Sequence, residues 1–194
     1  MKTSIKIILI ALMLVASNVN AQDTYVGGSD VELTISGTSN VHDWDQTVNK
    51  MSGSGKIIPN TDGSFTIQSL DVIIQVQSIK SSKGSIMDSK TYDALKSEAN
   101  PTITFKLASP INNIIIGSTI IAKGDLKIAG IPRPIELSVK VSGNSSKLFF
   151  EGSKSINMKD FGVTPPTAFM GAMKVGETVV IKFKSGYTKK INFN

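Results

Sequence analysis

The chain has 194 residues, a formal net charge of +6 and no cysteine. This length suffices for one domain with a sizeable core, and the lack of cysteine excludes disulfide bonds and a lipid-modified cysteine anchor. Arg133 is the only arginine and the lysines are scattered. That pattern excludes a guanidinium-rich surface, and we expect no nucleic-acid partner.

Residues 1–21 have the pattern of an export signal. Lys2 and Lys6 precede an apolar run. Val19 and Ala21 occupy the two positions before the cleavage site at which a signal peptidase recognises small residues. The run is much shorter than the roughly 20 residues that span a bilayer. We therefore expect a cleaved signal peptide over 1–21, a mature domain over 22–194 without a stable membrane span, and a periplasmic or secreted protein.

The first part of the mature chain alternates apolar and polar residues, as half-buried strands do. A strand is predicted over 25–37, with Leu33 and Ile35 on its inner face. The polar segment 40–45 follows, and a second strand is predicted over 48–58.

The next predicted strand, over 65–79, changes the phase of its apolar positions. Ile67 is odd-numbered, whereas the later apolar positions are even-numbered: Leu70, Val72, Ile74 and Val76. A β-bulge or bend near Ser69 would return all of them to one face.

One short helix is predicted over 86–99, where Tyr92 and Leu95 lie three residues apart. Pro101 ends it, because the residue before a proline is disfavoured in the helical region. A strand follows it, carrying Ile103 and Phe105.

The remaining strands come at short intervals. Strands are predicted over 113–122, 135–142 and 148–156, with turns at 123–124 and 130–134, and a last strand carries Val179, Ile181 and Phe183. The long loop before that last strand contains Phe161, Phe169, Met170 and Met173, which serve either as a lid or as a plain cover over one end.

These elements predict an all-β protein, an extended antiparallel β-barrel of about eight strands with one short helical excursion. Inward positions are almost all apolar, so the interior is dry whether side chains fill it or leave room for a guest.

Four segments resemble landmarks of the YceI-like family: 36–44 (SGTSNVHDW), 87–107, 124–137 (GDLKIAGIPRPIEL) and 158–183. The resemblance implies a lipocalin-like barrel that binds a polyisoprenoid or similar amphiphilic lipid, such as an isoprenoid quinone or polyprenyl lipid, with no other cofactor.

The expected ligand-binding residues are the inward positions of the strands and the apolar residues of the long loop. They are Leu33, Ile35, Val72, Ile74, Val76, Ile103, Phe105, Leu126, Ile128, Leu137, Val139, Phe161, Phe169, Met170, Ile181 and Phe183. His42 and Trp44 are polar candidates for the mouth of the barrel.

We expect neither a metal site nor catalysis. His42 is the only histidine, and no GxSxG or glycine-rich phosphate loop is present. The alternative function is a non-carrier domain of the cell envelope that acts through protein contacts, in stress response or adhesion. A lipid-modifying enzyme ranks third, and a homodimer is compatible with all three.

Overall fold

The computed structural model describes residues 24–190, except the side chains of Ser29, Ala168 and Phe169; the predicted signal peptide lies outside this range. The strands are β1 (Thr24–Ser39), β2 (Trp44–Val48), β3 (Met51–Pro59), β4 (Phe65–Gln75), β5 (Ile79–Ser81), β6 (Thr102–Leu107), β7 (Ile111–Ile114), β8 (Thr119–Ile128), β9 (Ile131–Gly143), β10 (Lys147–Asn157), β11 (Thr167–Ala168) and β12 (Met173–Lys189). One α-helix, α1 (Ser85–Ala94), and 3-10 turns at Val76–Ser78, Met158–Phe161 and Phe169–Gly171 complete the secondary structure of the described residues.

Eight of the strands form a closed antiparallel ring. The order is β1, β3, β4, β6, β8, β9, β10 and β12, and β12 pairs back onto β1, with Leu33 opposite Phe183 and Ile35 opposite Ile181. The short strands β2 and β5 continue the sheet from β1, β7 pairs with β4, and β11 pairs with β12. The predicted all-β barrel of about eight strands with one short helix is confirmed.

The bulge predicted near Ser69 is also confirmed. Lys56 of β3 lies opposite Ser69, whereas Ile57 lies opposite Ile67, so Gln68 has no counterpart. The extra residue puts Ile67 and the later apolar residues of β4 on the same inner face.

The predicted strand over 113–122 is wrong. The chain instead turns at 115–118, where Gly117 has a φ of 96°, and this turn separates β7 from β8. The predicted turn at 123–124 is wrong as well, because β8 runs straight through Gly124. A Cβ on Gly124 would lie 2.5 Å from the Phe105 ring, so the glycine makes room for an aromatic side chain of the neighbouring strand.

Other boundaries also differ from their predictions, among them the strand predicted over 65–79, which ends at Gln75. The strand over 48–58 is two strands that break at 49–50, and the helix ends at Ala94. The turn over 130–134 is shorter, because Ala129 and Gly130 both have positive φ and make a two-residue hairpin turn that brings Ile131 into β9.

Two apolar clusters divide the interior along the barrel. The cluster at the aromatic end contains Tyr25, Ile57, Phe65, Leu148, Phe150 and Tyr187, among others. The cluster at the helix end contains Leu33, Ile103, Phe105, Ile156 and Phe161. Tyr92 of α1 and Leu95, directly after the helix, pack against it. Tyr25, Leu148 and Tyr187 of the first cluster are almost fully buried and close the barrel at the aromatic end.

Helix α1 is fastened to the barrel through Asp88. The Ser81 amide donates to Asp88 Oδ1 at 2.7 Å, and Lys80 Nζ lies 3.1 Å from Asp88 Oδ2. The backbone hydrogen bond from Ser81 lowers the pKa of Asp88, and Lys80 adds to the effect.

Replacing Asp88 with alanine should destabilise the protein by about 1–2 kcal/mol at pH 7, because the Ser81 amide loses its partner. Folding lowers the pKa of the Asp88 carboxyl below the value of about 3.9 that an aspartate has in the unfolded chain. The charged carboxylate therefore contributes its full stabilisation at pH values above about 3.9, and this contribution is lost as the pH falls through the pKa of the folded protein. Urea unfolding at pH 7 and at pH 3 should therefore show a difference between wild type and Asp88→Ala that shrinks at pH 3. Asp93→Ala, on the exposed face of α1, is the control; an equal loss at both pH values would contradict the assignment.

Candidate functional site: the lumen of the barrel

The inner face of the ring encloses an apolar cavity of about 140 Å³. Its walls come from every second residue of the ring strands, because side chains alternate between the two faces of a sheet. Lys154 is the one charged side chain among the described residues that line it. A guest in this cavity would meet hydrocarbon on nearly every side.

A second apolar cavity, of about 110 Å³, lies under α1 at the helix end. Trp44, Met87 and Leu95 contribute to its walls. The two cavities share one set of six isoleucines, which we call the isoleucine ring: Ile35, Ile79, Ile103, Ile128, Ile156 and Ile181. Because both cavities touch the same side chains, only the isoleucine ring separates them.

Most of the residues predicted to bind ligand lie around these cavities. Twelve of them line the larger cavity: Leu33, Ile35, Val72, Ile74, Ile103, Phe105, Leu126, Ile128, Leu137, Val139, Ile181 and Phe183. Phe161 and Trp44 line the smaller cavity, and the Trp44 indole N–H donates to the Thr38 carbonyl at 3.1 Å. That these residues contact a ligand stays a prediction.

Other predicted residues lie elsewhere. Val76 is buried in the apolar cluster of the helix end but lines neither cavity, because its 3-10 turn interrupts the alternation of the strand. Met170 is fully exposed, the side chain of Phe169 lies outside the described part of the structure, and His42 is exposed with its ring Nδ1 2.8 Å from the Asp43 carbonyl.

The structure adds wall residues that the sequence interpretation missed. Ile67, Leu70 and Ala122 line the larger cavity, and Met87 and Ala94 of α1 line the smaller one. The alternation of β4 and β8 carries a signal for the first three. No periodic signal identifies the contribution of α1, since its side chains reach the lumen from outside the ring.

Two buried hydroxyl groups interrupt the apolar wall near the aromatic end. Ser185 and Tyr187 have exposures of 4% and 1%, and within the described chain neither hydroxyl has a hydrogen-bond partner. Burial raises the pKa of Tyr187, and the nearby Asp71 carboxylate raises it further, so this phenol stays neutral. Its ring packs edge-on against Phe150, with 5.4 Å between centroids.

Replacing Tyr187 with phenylalanine should stabilise the protein by about 1 kcal/mol, because an unpartnered buried hydroxyl costs free energy while the ring contact with Phe150 is retained. Urea unfolding measures the change. Tyr25→Phe is the matched comparison, because the Tyr25 hydroxyl donates to the Ser145 carbonyl at 2.6 Å and its removal should destabilise the protein. A loss of stability in Tyr187→Phe would show that its hydroxyl has a partner.

The lumen has the properties of a dry site for hydrocarbon. An empty apolar cavity of about 140 Å³ destabilises a protein by about 3 kcal/mol, and apolar cavities of that size exclude water. A hydrocarbon guest would recover that free energy. Among residues 24–190, no group of three or more His, Cys, Asp or Glu residues is placed to hold a metal ion, and no helix is long and apolar enough to cross a bilayer.

Comparisons with known proteins agree with the expected resemblance. A family model described as YceI-like domain matches residues 17–186, and no curated protein matches the chain. The structure is similar to that of BcnA from Burkholderia cenocepacia (21% identity, TM-score 0.61, covering 80% of this chain and 95% of that one). It is also similar to a polyisoprenoid binding domain from Saccharophagus degradans (14%, 0.68, 87% and 99%) and to the YCEI protein of Campylobacter jejuni (18%, 0.59, 76% and 85%).

Proposed function

This chain belongs to the YceI-like family, and from its apolar lumen we propose that it is a binding protein that holds a polyisoprenoid or similar long apolar lipid inside the barrel. The observation that carries the proposal is the pair of adjoining apolar cavities, walled mainly by aliphatic side chains. The description of the Saccharophagus degradans domain as polyisoprenoid binding supports the same class of ligand.

The free energy of such binding would come from burial alone. Each Å² of apolar surface removed from water contributes about 25 cal/mol, so a few hundred Å² of an isoprenoid chain contributes several kcal/mol before ordering costs. An isoprenoid quinone and a polyprenyl lipid are the guests that we propose. The alternative, a cell-envelope domain that acts through protein contacts, predicts a lumen filled by side chains and is less well supported by the cavities.

A long guest would have to widen the lumen. Both cavities are smaller than the roughly 300–1,000 Å³ of common small-molecule pockets. The isoleucine ring stands where widening would join the two cavities, and the flexible side chains of Met51 in the larger cavity and Met158 in the smaller one adapt readily to a guest.

We further propose that the protein acts outside the cytoplasm and is not an enzyme. The charge and apolar pattern of residues 1–21 supports export to the periplasm or beyond. The mainly aliphatic walls of the lumen support binding over catalysis, because they place no nucleophile next to a base.

Mass spectrometry of lipids extracted from purified native protein tests the proposal. We expect an isoprenoid lipid in near-stoichiometric amount and uptake of added isoprenoid quinone by the delipidated protein. Repeated absence of both a bound amphiphile and uptake would refute a carrier role.

A further inference from the structure

The hydrogen-bonded ring of strands is incomplete between β9 and β10. Their pairing covers only 139–143 of β9 and 148–152 of β10. Outside this short segment, β9 still pairs with β8, and β10 still pairs with β12. Residues 131–138 of β9 and 153–157 of β10, all of them described by the structure, do not pair with each other. We call this gap the seam.

Two prolines of β9 prevent pairing across the far part of the seam, beyond Glu136 and Ser138, which keep their N–H groups. The Val141 amide donates to the Ser118 carbonyl, on the β8 side, so even-numbered amide positions of β9 face β10. Pro132 and Pro134 occupy two of those positions and have no N–H to donate. The same two prolines leave the pairing with β8 intact, because they point away from it.

Only side chains separate the lumen from the outside at the seam. Ile135, Lys154 and Ile156 line both the larger cavity and an outer groove of about 650 Å³. The groove is also lined by outward-facing polar residues, among them Glu136 and Asn157. A ligand lying through the seam would have hydrocarbon contacts inside and hydrated polar groups outside.

Lys154 is placed to act at this boundary. It occupies an inward position of β10, in line with Phe150 and Ile156, and it lines both the larger cavity and the outer groove. The pKa of Glu136 is lowered mainly by Lys123, whose Nζ lies 2.7 Å from the Glu136 carboxylate, and Lys154 also contributes. The aliphatic stem of Lys154 therefore covers the lumen while its ammonium group stays near water.

We propose that the seam is a lateral entrance through which the apolar ligand passes into and out of the lumen, with Ile135, Lys154 and Ile156 as its movable gate. This inference rests on the proposed function. Passage here requires rotation of side chains and breaks no ladder hydrogen bond; the hydrogen bond that Arg133 Nε donates to the Asp160 carbonyl at 2.8 Å, at the end of the seam, is the one bond across it that passage could cost.

The two ends of the barrel are more firmly closed. The aromatic end is filled by side chains with 1–2% exposure, including Tyr25, Leu148 and Tyr187. Displacing α1 at the helix end would break at least three hydrogen bonds: Ser81 to Asp88, Gln46 to Thr91, and Tyr92 to the Gln77 carbonyl. Each contributes about 1 kcal/mol, so the helix end opens less readily than the seam.

A reversible bond across the seam tests the proposal, and the absence of native cysteines makes the experiment clean. Ser138→Cys with Ser153→Cys places two thiols at the first position beyond the ladder. The protein is loaded with radiolabelled isoprenoid quinone and oxidised, and its release to phosphatidylcholine vesicles is followed. We expect release to slow at least tenfold on oxidation and to recover on reduction, with the amount bound before release unchanged.

Two further pairs identify the route. Lys140→Cys with Glu151→Cys bridges a position where the ladder is already formed, and oxidation there should leave release unchanged. Gln46→Cys with Thr91→Cys, joined by a short thiol-reactive crosslinker, clamps α1 to β2. Release that stops with the α1 clamp and continues with the seam bond would overturn the lateral entrance. Failure of the wild-type protein to bind the quinone would overturn the proposed function itself.

A proline-free seam provides an independent measurement. Pro132→Val with Pro134→Val adds two amide donors to those of Glu136 and Ser138, so every position of β9 that faces β10 has a donor, the ladder should extend and release should slow without any cysteine. Unchanged release from a variant with newly protected amides at 132 and 134, seen by hydrogen exchange, would also contradict the proposal.

Discussion

Replacing Ala122 with phenylalanine should weaken binding of an isoprenoid quinone about 100-fold and leave the fold intact. Ala122 lies on β8 with 5% exposure and is a small residue in the wall of the larger cavity. A benzyl group there would occupy the space of about 140 Å³ that the guest needs. Excluding about 100 Å² of ligand surface removes about 2.5 kcal/mol of binding free energy.

The neighbouring residue offers a matched control. Ile121 points outward from the same strand with 53% exposure, so Ile121→Phe should bind the quinone as wild type does. Urea unfolding of Ala122→Phe should show stability equal to or above that of wild type, because the new side chain fills a void. Normal binding by a folded Ala122→Phe would show that the ligand does not lie in the lumen.

The barrel was predictable because its strands face two different environments. Alternation in segments such as 135–142 indicates which side chains face the core. The phase change of the apolar positions in β4 indicates the bulge next to Ser69 from the sequence of that strand alone. These signals are local, since the alternation within one strand indicates which of its side chains face the core and which face solvent.

The predictions were wrong where the conformation of a residue depends on a partner that is distant in the sequence. Gly124 resembles a turn glycine in the sequence, yet the structure places it within a strand because the Phe105 ring lies over it. The sequence does not show that ring, because Phe105 belongs to the neighbouring strand. The Ile-rich run around Gly117 hid a turn for a related reason, since it has too little polar contrast to mark an end.

The candidate site divides in the same way. The inward positions of the strands could be predicted from the alternation of apolar and polar residues. Loop residues such as Met170 and His42 have no such periodicity, so the sequence does not predict how they are oriented. Whether the lumen is hollow depends on the summed volume of side chains from eight strands and α1. A glycine or alanine at one inward position can be offset by an aromatic side chain across the barrel, as Tyr187 shows against Gly53.

Replacing Gly53 with alanine should destabilise the protein by about 2–3 kcal/mol. A Cβ at this inward position of β3 would overlap Tyr187 Oη and lie 2.9 Å from the Asp71 carbonyl oxygen. The Tyr187 ring cannot retreat toward β1, because it already rests against Gly27 of that strand, where an added Cβ would lie 2.5 Å from the ring. The new methyl group therefore strains the densely packed aromatic end.

A double-mutant cycle separates this clash from other effects. In a Tyr187→Phe background the overlapping oxygen is gone, and Gly53→Ala should then cost at least about 1 kcal/mol less than it does alone. Ser54→Ala, on the exposed face of the same strand, is the control and should change the free energy of unfolding by less than about 0.5 kcal/mol. Strict additivity of Gly53→Ala and Tyr187→Phe in urea unfolding would mean that the hydroxyl does not lie against β3, and that the aromatic end has room for the ligand as well.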